Sequence, residues 1–402
     1  MAPTLKRREI AICVDGLGDN WLGGVNYFRN LVAAFDAAAV DDLRLHVLTD
    51  DAKFLDGMSL SPGVQVHVLP MLRRRSFAWA LRKAQHVVSG RDGQLLAVLK
   101  RLQVEAVVFS YVAGARSGNV RCVPWIPDFQ FKHHPEMYPA AVVEAEQRRA
   151  EKVLAQADGL LVSSEVARRD AVALLQAPAD RVHVLRFAPR MDFGPLQSAS
   201  LRDEVLARYG IDRPYLFLPN QYWQHKNHGL VVRALGLLRQ SGRAMPLVVS
   251  TGKTQDMRKP AYFSDFAAEI QREGVESNYR VLGVIPRQDM MVLLAHSGGV
   301  LNPSRFEGWS TTVEEAKALG KALMLSDIAV HREQVAGRSD AQLYGTEEAA
   351  VLAEMLAAWD SQHSHGAVTA HPPRPDPSLY VTFEHQYITL LRQLAGAELR
   401  VA

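Results

Sequence analysis

The chain is built from short apolar runs rich in β-branched residues, separated by longer amphipathic stretches. In the first half, "IAICVD", "LRLHVLT", "VQVHVL", "VEAVVFS", "RCVPWI", "GLLVSS" and "RVHVLRF" have the length and makeup of strands, and helical patterns lie between several of them. Such alternation predicts a parallel sheet with crossover helices rather than separate helical and sheet regions. Around residues 187–200 the rhythm breaks at "FAPRMDFGPLQSAS", which has prolines, a glycine and serines but no period, and this predicts an interdomain connection. The alternation then restarts with "YLFLP", "MPLVVST", "YRVLG", "GVLNPS" and "KALMLSD", interleaved with helical patterns such as "LVVRALGLLRQ". The expected architecture is α/β with two Rossmann-like domains, residues 1–190 and 200–375. A helix within 376–402 places Tyr380, Phe383, Tyr387, Leu390 and Leu391 on one stripe that must be buried, and it is expected to return and pack on the N-terminal domain. Ligands of open α/β sheets bind beyond the carboxyl ends of the strands, so two such sheets facing each other predict a site in the cleft between them.

Composition narrows the class without naming a function. At 402 residues the chain exceeds one core of about 150 residues. A hydrophobic content of 48% against 22% charged residues is that of a globular protein. A net charge of +3 is too small to point to nucleic acid. Cys13 and Cys122 have neither metal-like nor paired spacing, which fits reduced thiols and a cytoplasmic protein. The first apolar run is cut by Asp15, unlike a secretory leader, and no apolar stretch approaches the ~18 residues that cross a bilayer.

Candidate chemistry concentrates in "SRFEGWSTTVEEAKALGKALMLSD", residues 304–327, where seven residues separate Glu307 from Glu315. "GGVLNPS" reads as a buried strand and "TTVEEAKALG" as a helix ending at Gly320. Glu307 then lies in the loop, and "GWSTT" offers backbone N–H groups at a helix start suited to phosphate. Two capping boxes fit locally, Thr312 with Glu315 and Thr311 with Glu314, which would make Glu315 structural. Glu307 caps nothing and belongs to no apolar stripe.

Other polar loops follow predicted strands. "YLFLPNQYWQHKNHGLVVRAL" puts Lys226 between a strand and a helix, where an ammonium can neutralise phosphate. Gly23 and Gly24 precede the first helix and permit close backbone approach to a ligand. "VPWIPDFQFKHHPEMYP" gathers Asp128, Lys132, His133 and His134 with aromatics, in no metal-binding pattern. "STGKTQ" lacks the first glycine of a P-loop, and no Asp-x-Asp occurs anywhere, so neither triphosphate hydrolysis nor metal-held diphosphate is expected.

"FEGWSTTVEEAKALGK", followed by "LSD" and "HREQ", resembles the donor-site motif of the family-four retaining glycosyltransferases of GT-B architecture, also called glycosyl transferases group 1. The resemblance is most specific over about residues 214–335. It implies that Glu307 lies beside the transferred sugar, that Glu315 holds the ribose hydroxyls, and that Gly308, Trp309, Ser310, Thr311 and Thr312 cradle the diphosphate. It further implies that Lys226 pairs with the diphosphate and that Gly23 and Gly24 approach diphosphate and sugar. By the same resemblance the reaction is metal-independent and uses no cofactor. Its co-substrate is a nucleotide-diphosphate sugar, and the acceptor is a hydroxyl on a saccharide or lipid-linked chain of a bacterial-type polysaccharide. Two departures stand out. Gln221 occupies the place of an expected arginine, leaving the diphosphate to Lys226, His225, backbone donors or a basic residue from elsewhere. Pro127 stands where relatives have a histidine before Asp128, with His133 as the substitute on the acceptor side. A nucleotide-sugar epimerase or phosphorylase, or a non-catalytic nucleotide-sugar binder, are the competing readings.

"MLRRRSFAWALRKAQHVV" interleaves Arg73, Arg74, Arg75, Arg82 and Lys83 with Phe77, Trp79 and Leu81. The plainer expectation is the solvated face of a core-packed helix. The sharper one is peripheral contact with the inner face of a membrane or with a lipid diphosphate.

Overall fold

The structure, a computed structural model, describes residues 7–15, 22–115, 118–256, 258–363 and 372–396. The chain divides into two compact units, one of Met1–Phe129, Ala140–Arg190 and Tyr380–Ala402, the other of Gln130–Pro139 and Met191–Leu379.

In the first unit, β1 (Arg8–Val14), β2 (Leu43–Thr49), β3 (Val64–Val68), β4 (Ala106–Phe109) and β5 (Arg121–Pro124) form a parallel sheet in the order β3-β2-β1-β4-β5. Strands β6 (Leu160–Val162) and β7 (Val182–Val184) pair in parallel, and Leu161 bridges to Trp125 just past β5, which prolongs the same order. The C-terminal helix, Ser378–Leu394, buries Phe383, Tyr387, Leu390 and Leu391, the stripe seen in the sequence. That stripe lies on this unit: the Tyr387 ring meets Phe109 at 6.1 Å, Arg121 Nη1 donates to Leu394 O at 2.7 Å, and Arg392 makes a two-point ion pair with Asp42 at 2.7 and 2.9 Å.

In the second unit, β8 (Tyr215–Leu218), β9 (Leu247–Ser250), β10 (Tyr279–Val281), β11 (Gly299–Asn302), β12 (Leu323–Ser326) and β13 (Ala341–Tyr344) form a parallel sheet in the order β10-β9-β8-β11-β12-β13. Along β8, Leu216 and Leu218 join one core cluster, Tyr215 and Phe217 the other, so the sheet is covered on both faces. Because β8 and β11 are neighbours while the chain winds outward from each, the order reverses between them, and a crevice opens beyond their carboxyl ends.

Three readings are adjusted. The connection at 187–200 is partly helical: Phe193–Leu196 is capped by Asp192, and the next helix, Ala199–Arg208, by Ser198. The loop "FQFKHHPEMYP" contains a helical turn, Gln130–His133, and clusters with the second unit. The helix Phe77–Ser89 is not core-packed, for none of its residues is buried. Among the described residues, no helix is long and apolar enough to cross a membrane.

Candidate nucleotide-sugar site

Strand β11 ends at Asn302 because Pro303 cannot extend the ladder, and the chain turns through Ser304 into the loop that bears Glu307. Strand β8 ends at Leu218 and runs through a short 3-10 turn, Gln224–Lys226, before the helix His228–Gln240. The two loops emerge at the crevice and meet there. Lys226 Nζ donates to Glu307 Oε1 at 2.7 Å and to Oε2 at 2.8 Å, with both side chains largely out of solvent. The Ser304 hydroxyl lies 2.6 Å from Glu307 Oε1 and 2.6 Å from Asn302 Oδ1, one proton serving two acceptors. Asn302 is itself held by Asn220, whose Nδ2 donates to Asn302 Oδ1 at 3.0 Å. Burial would push the Glu307 carboxyl up, but the Lys226 charge and the hydrogen bonds from Lys226 and Ser304 hold it at about 2, well below its ordinary 4.5. At neutral pH the loop therefore carries an ionised, oriented carboxylate.

The helix after this loop is Thr311–Ala318, and its cap corrects both capping-box expectations. Ser310 is the N-cap, extended at φ −79°, ψ 106°, with its hydroxyl accepting from Val313 N at 3.4 Å. Asn302 Nδ2 also donates to Ser310 Oγ, at 3.0 Å, which ties the cap to the end of β11. Thr311 and Thr312 are thus the first helical residues, exposed and buried respectively, and neither can cap. Gln334, of "HREQ", clamps the same turn: its Nε2 donates to Ser310 O at 2.9 Å and to Glu314 Oε1 at 2.8 Å. Glu314 also takes the buried Lys317 ammonium at 2.9 and 3.0 Å, and burial raises its pKa despite that charge. The helix start is held from Asn302 and Gln334, and its first N–H groups have no intrahelical acceptor. Glu315, freed from capping, points elsewhere: its buried carboxylate is held by Arg287, the first residue of the helix Arg287–His296, through a two-point ion pair.

Gln221, in the place of the expected arginine, has a structural task. Its Oε1 accepts from Lys253 N at 2.5 Å, while Tyr222 N donates to Lys253 O at 3.0 Å, so the loop after β9 is laced to the loop after β8. Gly252, at φ +155°, makes this approach feasible, because a Cβ there would collide with the backbone of Asn220 and Gln221. The same β9 loop supplies Arg258. Its guanidinium lies over the Trp223 ring at 5.4 Å and the Tyr138 ring at 5.3 Å, and Nη2 donates to His225 Nδ1 at 3.4 Å. His225 cannot serve as a cation for diphosphate: burial first, then the charges of Lys226 and Arg258, keep its pKa well below 6.5. Arg258 is a second cation beside the Lys226 loop, partly buried and already ion-paired through Nε with the buried Asp256 carboxylate at 3.2 Å.

Of the residues singled out in the sequence, Lys226, Glu307 to Thr312 and Glu315 share the second unit, as does His133, whose exposed ring packs on Phe306 at 5.4 Å. Gly23 and Gly24 lie in the first helix, Leu22–Ala37, and half-buried Asp128 precedes residue 130; these belong to the first unit. Sequence reasoning did not single out Arg258, Arg287, Asn302, Ser304 or Gln334. Asn302 and Ser304 had a signal, since polar residues closing the apolar run "GVLNPS" stand where a site would form. Arg258 and Arg287 had none. Among the described residues no group of three or more His, Cys, Asp or Glu could hold a metal ion.

Two Rossmann-like units with such a crevice in the second are the GT-B fold, and solved structures agree along nearly the whole chain. Anabaena Alr3699/HepE, solved in complex with UDP and glucose, matches with a TM-score of 0.68 at 15% identity, over 96% of this chain and 100% of that one. WaaG, a glycosyltransferase involved in lipopolysaccharide biosynthesis, matches with a TM-score of 0.59 at 15% identity, over 97% and 95%. Residues 203–363, within the second unit, match Glycosyl transferases group 1, the family whose motif the sequence resembles. The Escherichia coli O-antigen chain mannosyltransferase B is 24% identical over 211 residues, 52% of this chain and 53% of that protein, so the match spans about half the length of that relative.

Proposed function

We propose that this protein is a retaining, metal-independent glycosyltransferase that moves a hexose from a nucleotide-diphosphate sugar to a hydroxyl of a lipid-linked or growing polysaccharide at the cytoplasmic side of a membrane. The observation that carries the reading is the buried Lys226–Glu307 pair beside the Ser310-capped helix start. An incoming diphosphate competes with Glu307 for the ammonium and takes the unpaired N–H groups of the helix start as further donors. Arg258, shared with the Asp256 carboxylate it already pairs with, supplies the cation that Gln221 cannot. Release of Glu307 from part of its pairing lets the carboxylate accept from sugar hydroxyls, which orients the ring, while Glu315 turns from Arg287 to the ribose.

In the transfer step the bond from the anomeric carbon to the phosphate oxygen breaks and a bond from the acceptor oxygen to that carbon forms on the same face. The acceptor proton passes to the departing phosphate oxygen. Fixed donors around the leaving group require no reorganisation as charge develops, and loss of one such donor typically costs ~10²-fold or more in rate. The UDP and glucose bound to HepE and the mannosyl transfer named for the Escherichia coli relative support a hexosyl donor. Incubation with a panel of uridine, guanosine and adenosine diphosphate sugars, without acceptor, tests the reading: slow release of nucleoside diphosphate from one donor is expected, abolished in Glu307→Ala. Tight binding of a donor with no release, in the wild type and with added acceptor extracts, would make the protein a binder instead.

A further inference from the structure

The helix Phe77–Ser89 is oriented against the usual rule for amphipathic helices. Ser76 caps it by accepting from Trp79 N at 3.0 Å, and Gly90 ends it at φ +68°, so its limits are well defined. At 100° per residue, Phe77, Leu81, Ala84 and Val88 form one stripe, with Val87 at its margin. That stripe faces solvent: Phe77 is 86% exposed, Leu81 54%, Val87 81% and Val88 89%. The half-buried residues, Ala78, Trp79, Arg82 and His86, lie on the opposite side. Arg82 fixes this rotation by donating from Nε and Nη2 to Asp92 at 2.9 and 2.5 Å, which anchors the helix to the start of the next one, Gly93–Arg101. The outward stripe is therefore imposed by the fold and is not a helix left unpacked.

Charge is distributed to match. From Gly57 to Arg91 there is no Asp or Glu, while Arg73, Arg74, Arg75 and Lys83 are all exposed. Three arginines thus sit immediately before the apolar stripe, and Lys83 lies on the helix flank beside Trp79. A protein partner that covered this surface would need both an apolar face and a concentrated acidic rim. A bilayer with anionic headgroups offers both at once, with acyl chains for Phe77, Leu81 and Val88 and phosphates for the arginines.

We propose that residues 73–88 are a docking surface for an anionic lipid bilayer, on which the helix lies flat with its outward stripe in the headgroup boundary. This goes beyond the transfer reaction and does not depend on it. The test is co-sedimentation of the full chain with vesicles of phosphatidylcholine alone or with about 30% phosphatidylglycerol, which gives the surface a negative potential. Binding is expected only to the anionic vesicles and is weakened by salt, since surface charge is screened beyond about 10 Å at 0.1 M. Arg73→Ala, Arg74→Ala and Arg75→Ala together should lower the partition coefficient about a hundredfold. Phe77→Ser with Val88→Ser should lower it with all charges intact; both side chains are exposed, so unchanged thermal unfolding shows that the fold persists. Equal binding of wild type and both variants, or no binding to either vesicle, overturns the proposal. So does a dimer in sedimentation velocity that the Phe77→Ser, Val88→Ser variant abolishes, since the stripe would then be a contact between copies.

Discussion

Lys226 and Glu307, 81 residues apart, meet with the ammonium nitrogen 2.7 and 2.8 Å from the two carboxylate oxygens. Neither partner is readily reached by water, so each is an uncompensated charge without the other. Lys226→Ala should destabilise the chain by about 3–5 kcal/mol. Adding Glu307→Gln should recover a large part of that loss without restoring donor turnover. Urea denaturation of both variants checks this; equal stability of the single and double variants would mean that the pair is not coupled.

The same carboxylate gives an acid signature. Its pKa is lowered on folding, from 4.5 to about 2. A depressed carboxyl contributes stability that is present above its unfolded value and lost as pH falls through the folded one. Between about pH 4.5 and 2 the wild type should therefore lose stability faster than Glu307→Gln, and pH-resolved thermal melts would show the two curves converging in that window.

Arg258 should matter for phosphate rather than for base. Arg258→Ala is expected to weaken nucleoside diphosphate binding by roughly ten- to a hundredfold, the worth of one charge-assisted hydrogen bond. A nucleoside lacking phosphates should bind both proteins equally in calorimetry. Equal loss for the two ligands would place Arg258 outside the diphosphate contacts.

For Glu315 the discriminating ligand is a dideoxynucleotide. Glu315→Gln should raise the Kd of the ribonucleoside diphosphate about tenfold, since a charged acceptor strengthens each hydroxyl hydrogen bond. The Kd of the 2′,3′-dideoxy analogue should stay as it is. A parallel change in both would assign the carboxylate to Arg287 alone.

The helix start separates cap from neighbour. Ser310→Ala should cost about 1 kcal/mol by loss of the side-chain acceptor. Thr311→Ala, at an exposed first position, should stay within about 0.5 kcal/mol of wild type. Chemical denaturation of the two variants is sufficient, and a larger cost at Thr311 would return the cap to the threonines.

What could be read beforehand followed apolar periodicity. Strands β8, β9, β11 and β12 are buried on both faces and stand out as apolar runs, whereas β13, "AQLY", is a partly exposed edge with only one fully buried residue and leaves no such trace. The stripe of the C-terminal helix was legible for the same reason. Glu307 and Lys226 could be suspected from their positions after strands, but their ion pair joins distant loops, and spacing carries no information about it. The cap was misread because Ser310, Thr311 and Thr312 are all N-cap types in the sequence, and the ties from Asn302 and Gln334 that hold Ser310 come from distant elements. The basic helix was misread because periodicity reports that a stripe exists, not which way it is turned; Arg82 and Asp92 settle the rotation.

The chain passes from one unit to the other after Phe129, Pro139, Arg190 and Leu379. Four tethers have mechanical and practical consequences. Cleavage in any one linker leaves the halves joined by the others, and a fragment ending near residue 190 would lack both the 130–139 excursion's landing place and the helix that covers Phe109. Expressed alone, neither half is expected to fold as a stable unit.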